Sequence, residues 1–452
     1  MNLEWRDIAL PEIASPEERP TVPEKVLQER CVQAYANAGT DWLVVYADRE
    51  HSANLTFLTD FDPRFEEAIL LLGPANQRTL LVGNEGLGYT NMAGLDIEIV
   101  LCQSLSLMGQ DRTKAPSLED VLREAGIKSG QSVGVIGWKY LEPSERSEAF
   151  IGFFAPAVLV DGLRALVGDP AGVSDTTWVL MHQTKGLRAK NDADQIAVFE
   201  WAAARATRAI HGIVRSIRPG LTELQAVSNM RFAGEPLSAH VMLASGQDEI
   251  VGLRSPTARI IQQGDGATTA IGYWGGLGCR AGLIEEIAPE FIEKLAMPYY
   301  RSIVTWYQTV RLGAQGSEIY QSVAEVLEKG NLKSLLNPGH LTSYDEWFNT
   351  PVRPGSADKI HSGMAFQCDI IPTPLPPGWA VNCEDPLVFA DEELRGKLKD
   401  QFPAVWSRIE QRRNFMSHEL GIDIGDELLP LSSMPAYFPP LWLSPSKGLA
   451  LA

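Results

Sequence analysis

A chain of 452 residues exceeds what one ordinary hydrophobic core supports, so two domains are expected. Its formal charge of −18, from 39 basic and 57 acidic side chains, repels phosphate backbones and argues against nucleic acid as a partner. The five cysteines (Cys31, Cys102, Cys279, Cys368, Cys383) are scattered, odd in number and without a Cys-x-x-Cys pair, which speaks against a disulfide framework and a structural zinc site.

The first residues, Met1 to Asp7, have no basic start followed by an apolar stretch. The longest apolar run, Ala149 to Val160, is interrupted by Pro156 and ended by Asp161. Neither is a leader or a bilayer span, so a cytoplasmic protein without a membrane partner is expected.

Residues 1–23 are rich in Pro and Glu and read as a surface arm. Pro23 to Ala38 has helical apolar spacing and stops at Gly39. Strand-like runs follow at Trp42–Tyr46, Leu55–Leu58, Ala68–Leu72, Thr79–Val82 and Ile97–Leu101, then a helix at Leu118–Ala125 and a strand at Ser132–Gly137. This alternation predicts an α/β domain over residues 1–185. Asp192 to Ile217 then reads as a long Ala-rich helix closed by Pro219-Gly220, and Thr222-Glu223-Leu224-Gln225 has capping-box spacing. Strand-like runs at Val241–Ala244, Ala267–Tyr273, Met364–Ile371 and Ala380–Val388, with a helix at Pro289–Leu312, predict an α+β domain over residues 186–452.

An ordered series of short segments resembles the pita-bread family of creatinase, prolidase and aminopeptidase P. Asn54-Leu55-Thr56-Phe57-Leu58-Thr59-Asp60-Phe61 is similar to the family's Asn-x-x-Tyr-Leu-Thr-Gly-Phe segment, and Arg218-Pro219-Gly220-Leu221-Thr222-Glu223 to its Pro-Gly-x-Thr-Glu turn. Ala244-Ser245-Gly246, Pro256, Gly264-Asp265, Gly339-His340, Gly363-Met364 and Glu384-Asp385 follow in family order. The resemblance implies a creatinase-like α/β N-terminal domain, a pita-bread C-terminal domain and a homodimer.

Metallopeptidases of this family bind two metals through Asp, Asp, His, Glu and Glu. By resemblance these positions fall at Ala270, at Cys279 or Arg280, and at His340, Asp369 and Glu384. A dinuclear centre needs bridging carboxylates, and two of them are missing. The expectation is therefore no metal or other cofactor, with a single divalent metal at His340, Asp369 and Glu384 as the alternative. Creatinase works without metal, but the position of its general-base His is Leu253 here, and the second catalytic His of the peptidases falls at Trp347.

His340, Asp369 and Glu384 are the candidate catalytic residues. His titrates near working pH, and two buried carboxylates need a proton or a cation between them. Arg280 or a cationic substrate could supply that charge; an internal salt bridge is the plainer alternative. Arg64 and Phe65 are candidate substrate contacts, because in creatinase-like dimers this region reaches the partner's cleft; a solvated loop is the alternative. Tyr273 and Trp347, with Trp274 and Phe348, line the cleft or simply pack; lining would suit a small apolar or cationic substrate. The leading expectation is a metal-independent hydrolase of a C–N bond in a small substrate. A metal-dependent Xaa-Pro peptidase and a non-catalytic pita-bread binding protein are the competing readings.

Overall fold

The computed structural model describes residues 1–113, 116–147, 152–249 and 251–452. Contacts divide the chain into two compact units, one of Thr21–Ala189 and one of Met1–Pro20 with Lys190–Ala452. The first twenty residues thus belong with the second unit rather than with residues 21–185. Strand β1 (Leu3–Asp7) pairs antiparallel with the last strand of the chain, Leu3 opposite Leu451, which explains the assignment.

In the unit Thr21–Ala189, a helix at Glu24–Ala38 ends at Gly39, whose φ of 64° suits a residue without Cβ. Strands β2 (Trp42–Ala47), β3 (Ala68–Gly73), β4 (Gln77–Val82), β5 (Glu98–Leu101), β6 (Val133–Ile136) and β7 (Val173–Asp175) form one mixed sheet in the order β5-β4-β3-β2-β6-β7. Strands β2 and β3 are buried along their whole length, which suits their near-continuous apolar sequences. Val44, Leu71, Leu122, Val135 and Leu163 share its core.

The expected strand Leu55–Leu58 is instead part of a buried helix, Ala53–Thr59. A short run that is buried on every side carries no periodicity that separates strand from helix. Tertiary bonds decide the case: Asn54 Nδ2 donates to Gly137 O at 2.8 Å, and Arg188 Nη1 donates to Asn54 Oδ1 at 2.8 Å. The apolar run 149–160 begins outside the described residues; its end enters the helix Ala157–Val167. Among the described residues no helix is long and apolar enough to cross a membrane.

The second unit is built on β8 (Leu237–Gly246), β9 (Gly266–Tyr273), β10 (Gly276–Leu283), β11 (Lys333–Ser334), β12 (His340–Leu341), β13 (Ala365–Cys368), β14 (Pro372–Thr373), β15 (Asn382–Phe389), β16 (Leu428–Pro430) and β17 (Lys447–Leu451). The main sheet runs β12-β13-β15-β10-β9-β8, with β16 also on β15. The helix Ala193–Ser216, capped by Asp192 Oδ1 on Gln195 N, covers one face. It lies close because Gly276 and Gly278 present no side chain there; a Cβ at Gly276 would come within 3.0 Å of Ala203. The capping box predicted at Thr222 is present. The helix expected over Pro289–Leu312 appears as Pro289–Phe291, a π turn at Ile292–Ala296 and Met297–Thr309. Pro298 cannot donate into the preceding turn, which accounts for the widened segment.

Candidate active site

The β9–β10 hairpin turns through Trp274-Gly275, with Tyr273 opposite Gly276 and Gly275 at φ 97°. This two-residue turn fixes every pair behind it. Ala270 faces Cys279, Met242 of β8 faces Ala270, and Glu384 of β15 faces Cys279. Met242, Ala270, Cys279 and Glu384 therefore form a row across four strands on the face turned away from Gly276 and Gly278. The two positions that would carry aspartates in a dinuclear site hold a methyl group and a thiol.

The row continues to β13 and β12. His340 lies opposite Gln367, whose side chain is fixed by donation to Leu277 O at 2.6 Å. Three features hold His340: Gly339 before it at φ 106°, Trp306 Nε1 donating to Pro338 O at 2.7 Å, and Thr350 Oγ1 donating to Gly339 O at 2.8 Å. The segment after His340 folds back on it, Leu341 N donating to Asn349 O at 2.8 Å. That return lays Trp347 flat on His340, ring centroids 4.0 Å apart at 17°, and brings Glu346 Oε1 to 3.1 Å from His340 Nε2.

His340 Nδ1 lies 3.3 Å from Leu341 O, an atom that only accepts, so Nδ1 carries the hydrogen and Nε2 faces the acids. Asp369 Oδ2 is 3.9 Å from Nε2. Despite these approaches, His340 Nε2 and Asp369 Oδ1 are buried atoms without a hydrogen-bond partner. His340, Glu346 and Glu384 each offer a ligand atom within 4.8 Å of the others.

The electrostatics follow from this crowding. Burial opposes charge on His340, but the nearby Glu346 and Asp369 outweigh it and raise its pKa. Burial raises Asp369 to about 7, with His340 opposing and Glu346 adding to the shift. Burial, then the charges of Asp369 and Glu346, raise Glu384 well above the ordinary carboxylate range. All three groups are biased toward their protonated forms.

Met242, Ala270, Cys279 and Glu384 form the floor of a cavity of about 360 Å³, with Asp369 beside them. Leu277, Trp347, Ile371, Leu375, Trp379 and Val381 supply much of its wall. Its polar lining includes Glu249, Glu346, Asp369, Asn382 and Glu384, and no Lys, Arg or His is among the described lining residues.

Of the residues expected from sequence, the structure brings His340, Asp369, Glu384 and Trp347 together. Arg280 is elsewhere. It projects from the other face of β10, fully buried, with Nη2 donating to both oxygens of Asp385 at 2.9 Å and to Met434 O, and Nε donating to Tyr437 O. It does not counter the charge of Asp369 and Glu384 in the cavity. Tyr273 is buried at the hairpin turn, stacked on Phe232, and does not line the cavity. Arg64 and Phe65 are exposed residues of the unit Thr21–Ala189, with the Arg64 guanidinium 5.9 Å from the Tyr89 ring centroid.

Glu346 is the residue that sequence reasoning passed over. It stands six positions after His340 and beside Trp347, and the return of that segment places it. Its convergence with His340 and Glu384 overturns the expectation of a site with no metal or cofactor. The alternative set is also altered, since Glu346 rather than Asp369 completes the close cluster.

A sheet of this order, covered by a long helix on one face and open to an acidic cavity on the other, defines the pita-bread class. The solved structures agree. The chain resembles the Xaa-Pro dipeptidase from Bacillus anthracis at 16% identity and TM-score 0.59, over 81% of this chain and 95% of that one. It resembles recombinant prolidase from Thermococcus sibiricus at 15% identity and TM-score 0.63, over 82% and 96%. The aminopeptidase PepP of Pseudomonas aeruginosa matches at 15% identity and TM-score 0.57, over 85% and 98%. These likenesses establish the shared fold. By sequence, no family model and no curated protein matches the chain.

Proposed function

We propose that the protein is a hydrolase of a C–N bond, acting on a small substrate with an apolar body and a donor-rich or cationic nitrogen. The observation that carries this reading is the meeting of Asp369 and Glu384 on the lining of one largely apolar cavity, with the buried His340 directly behind Asp369. The solved Xaa-Pro dipeptidase, prolidase and aminopeptidase structures share the fold, which supports peptidase-like chemistry. The polar lining supports the substrate class. Its carboxylates and Asn382 Oδ1, a buried acceptor with no partner, suit N–H groups, whereas an anionic group would meet repulsion.

In hydrolysis the oxygen of water ends on carbon and the departing nitrogen gains a proton. Asp369, buried and raised to about 7, is placed to take and return that proton. Trp347 forms part of the wall against the substrate and holds the ring of His340.

The same reading carries a homodimer in which Arg64 and Phe65 reach the partner's substrate. Its support is the family resemblance and the exposure of both side chains. Light scattering would show a dimer, and Arg64→Ala would raise KM.

The test is turnover across Xaa-Pro dipeptides, N-acyl amines and guanidino compounds, with divalent metals supplied. Asp369→Asn should lower kcat by about 10²-fold or more while the protein stays folded. No turnover of any class would favour the binding-protein reading.

A further inference from the structure

We infer that this cavity holds one divalent cation, not two, on a ligand set of His340, Glu346 and Glu384. The disagreement with a dinuclear centre is structural. Ala270 and Cys279, facing each other beside Glu384, are the positions from which bridging carboxylates would come, and neither side chain offers one.

A single site fits the remaining residues. One imidazole and two carboxylates are a donor set used by Zn²⁺ and by other first-row divalent ions. Tetrahedral coordination at roughly 2.0–2.2 Å would bring neighbouring ligand atoms to about 3.3–3.6 Å. The observed group, His340 Nε2 at 3.1 Å from Glu346 Oε1 and all three ligand atoms within 4.8 Å, needs only side-chain contraction. His340 is wholly buried, its Nδ1 bonded to Leu341 O and its Nε2 unpartnered and aimed at the acids. That is the orientation of a ligating histidine with its other nitrogen anchored. The buried, unpartnered Asp369 Oδ1 is a second acceptor beside the cluster, which again calls for positive charge.

Glu346 gives the inference its particular content. It comes from the segment after His340 rather than from the hairpin that lacks aspartates, and it retains a side-chain exposure of 27%. It supplies the third ligand from the cavity wall. A cation so placed supplies Lewis-acid charge to the hydrolytic chemistry proposed above. The binding site itself does not depend on that reading.

The test is metal binding rather than turnover. The full chain, stripped with chelator, is titrated with Zn²⁺, Mn²⁺ and Co²⁺ by calorimetry, and metal content is measured after dialysis. One equivalent per chain is expected for at least one ion, together with a raised Tm. Glu346→Gln and Glu384→Gln should each weaken binding by roughly 100-fold or more, since loss even of an outer-shell partner costs 10–100-fold. Asp369→Asn should keep one equivalent. Circular dichroism confirms folding, and the Glu346 change is close to isosteric at a partly exposed position. No binding of any ion, two equivalents, or unaltered binding in Glu346→Gln would overturn the inference. One bound equivalent without turnover would leave it standing and count against the hydrolase.

Discussion

Cys279 is the direct cross-strand neighbour of Glu384, and Ala270 is the next member of the same row. The geometry therefore states where a second cation would need its carboxylates. Ala270→Asp combined with Cys279→Asp should raise the metal content from one equivalent to two, read by elemental analysis after dialysis. A folded double variant that still binds one equivalent would show that these two positions are not enough.

Trp347 stacks on His340 with ring centroids 4.0 Å apart. Such pairs contribute about 0.5–1.5 kcal/mol, so Trp347→Ala should weaken metal binding or turnover by about 2–10-fold, and Trp347→Phe should recover most of it. Equal losses in both variants would mean that the indole itself, not the stack, matters.

Arg280 and Asp385 are fully desolvated partners, 0% and 2% exposed at the side chain. Removing one leaves a buried charge without its counterpart, at a cost of about 3–5 kcal/mol. Arg280→Met should therefore shift the urea midpoint strongly downward, and adding Asp385→Leu should recover part of the loss. A neutral single variant would contradict this.

Glu223 gives the pH dependence. Burial alone would raise its pKa, but bonds from Arg254, Thr257 and Ser245 outweigh that and hold it at about 2. A depressed carboxyl pKa stabilises the fold above the unfolded value of 4.5 and loses that contribution as pH falls toward 2. Glu223→Gln should thus destabilise the protein at pH 7 and approach wild type near pH 2–3, followed by denaturant midpoints. A difference independent of pH would refute the assignment.

Much of this architecture can be read from the chain. The helices beginning after Asp192 and Thr222 announce themselves by their caps, and the buried strands by continuous apolar runs. The choice between Cys279 and Arg280, left open by the sequence, follows from the hairpin register. Trp274-Gly275 as a two-residue turn puts Ala270 opposite Cys279, and alternation along the strand turns Arg280 away. Glu346 was not legible in this way. Its approach to His340 depends on how residues 341–349 return, and no local spacing encodes that. The segment 55–58 failed for a related reason, because burial on all sides erases periodicity.

Glu384 and Asp385 are neighbours in sequence with opposite surroundings, one facing the cavity and the other saturated by Arg280. A slip of one residue between β10 and β15 would carry Asp385 into the cavity and strand the guanidinium among carbonyl groups. The ion pair behind the sheet thus acts as a registration pin. It has no contact with substrate, yet it sets which carboxylate the cavity receives.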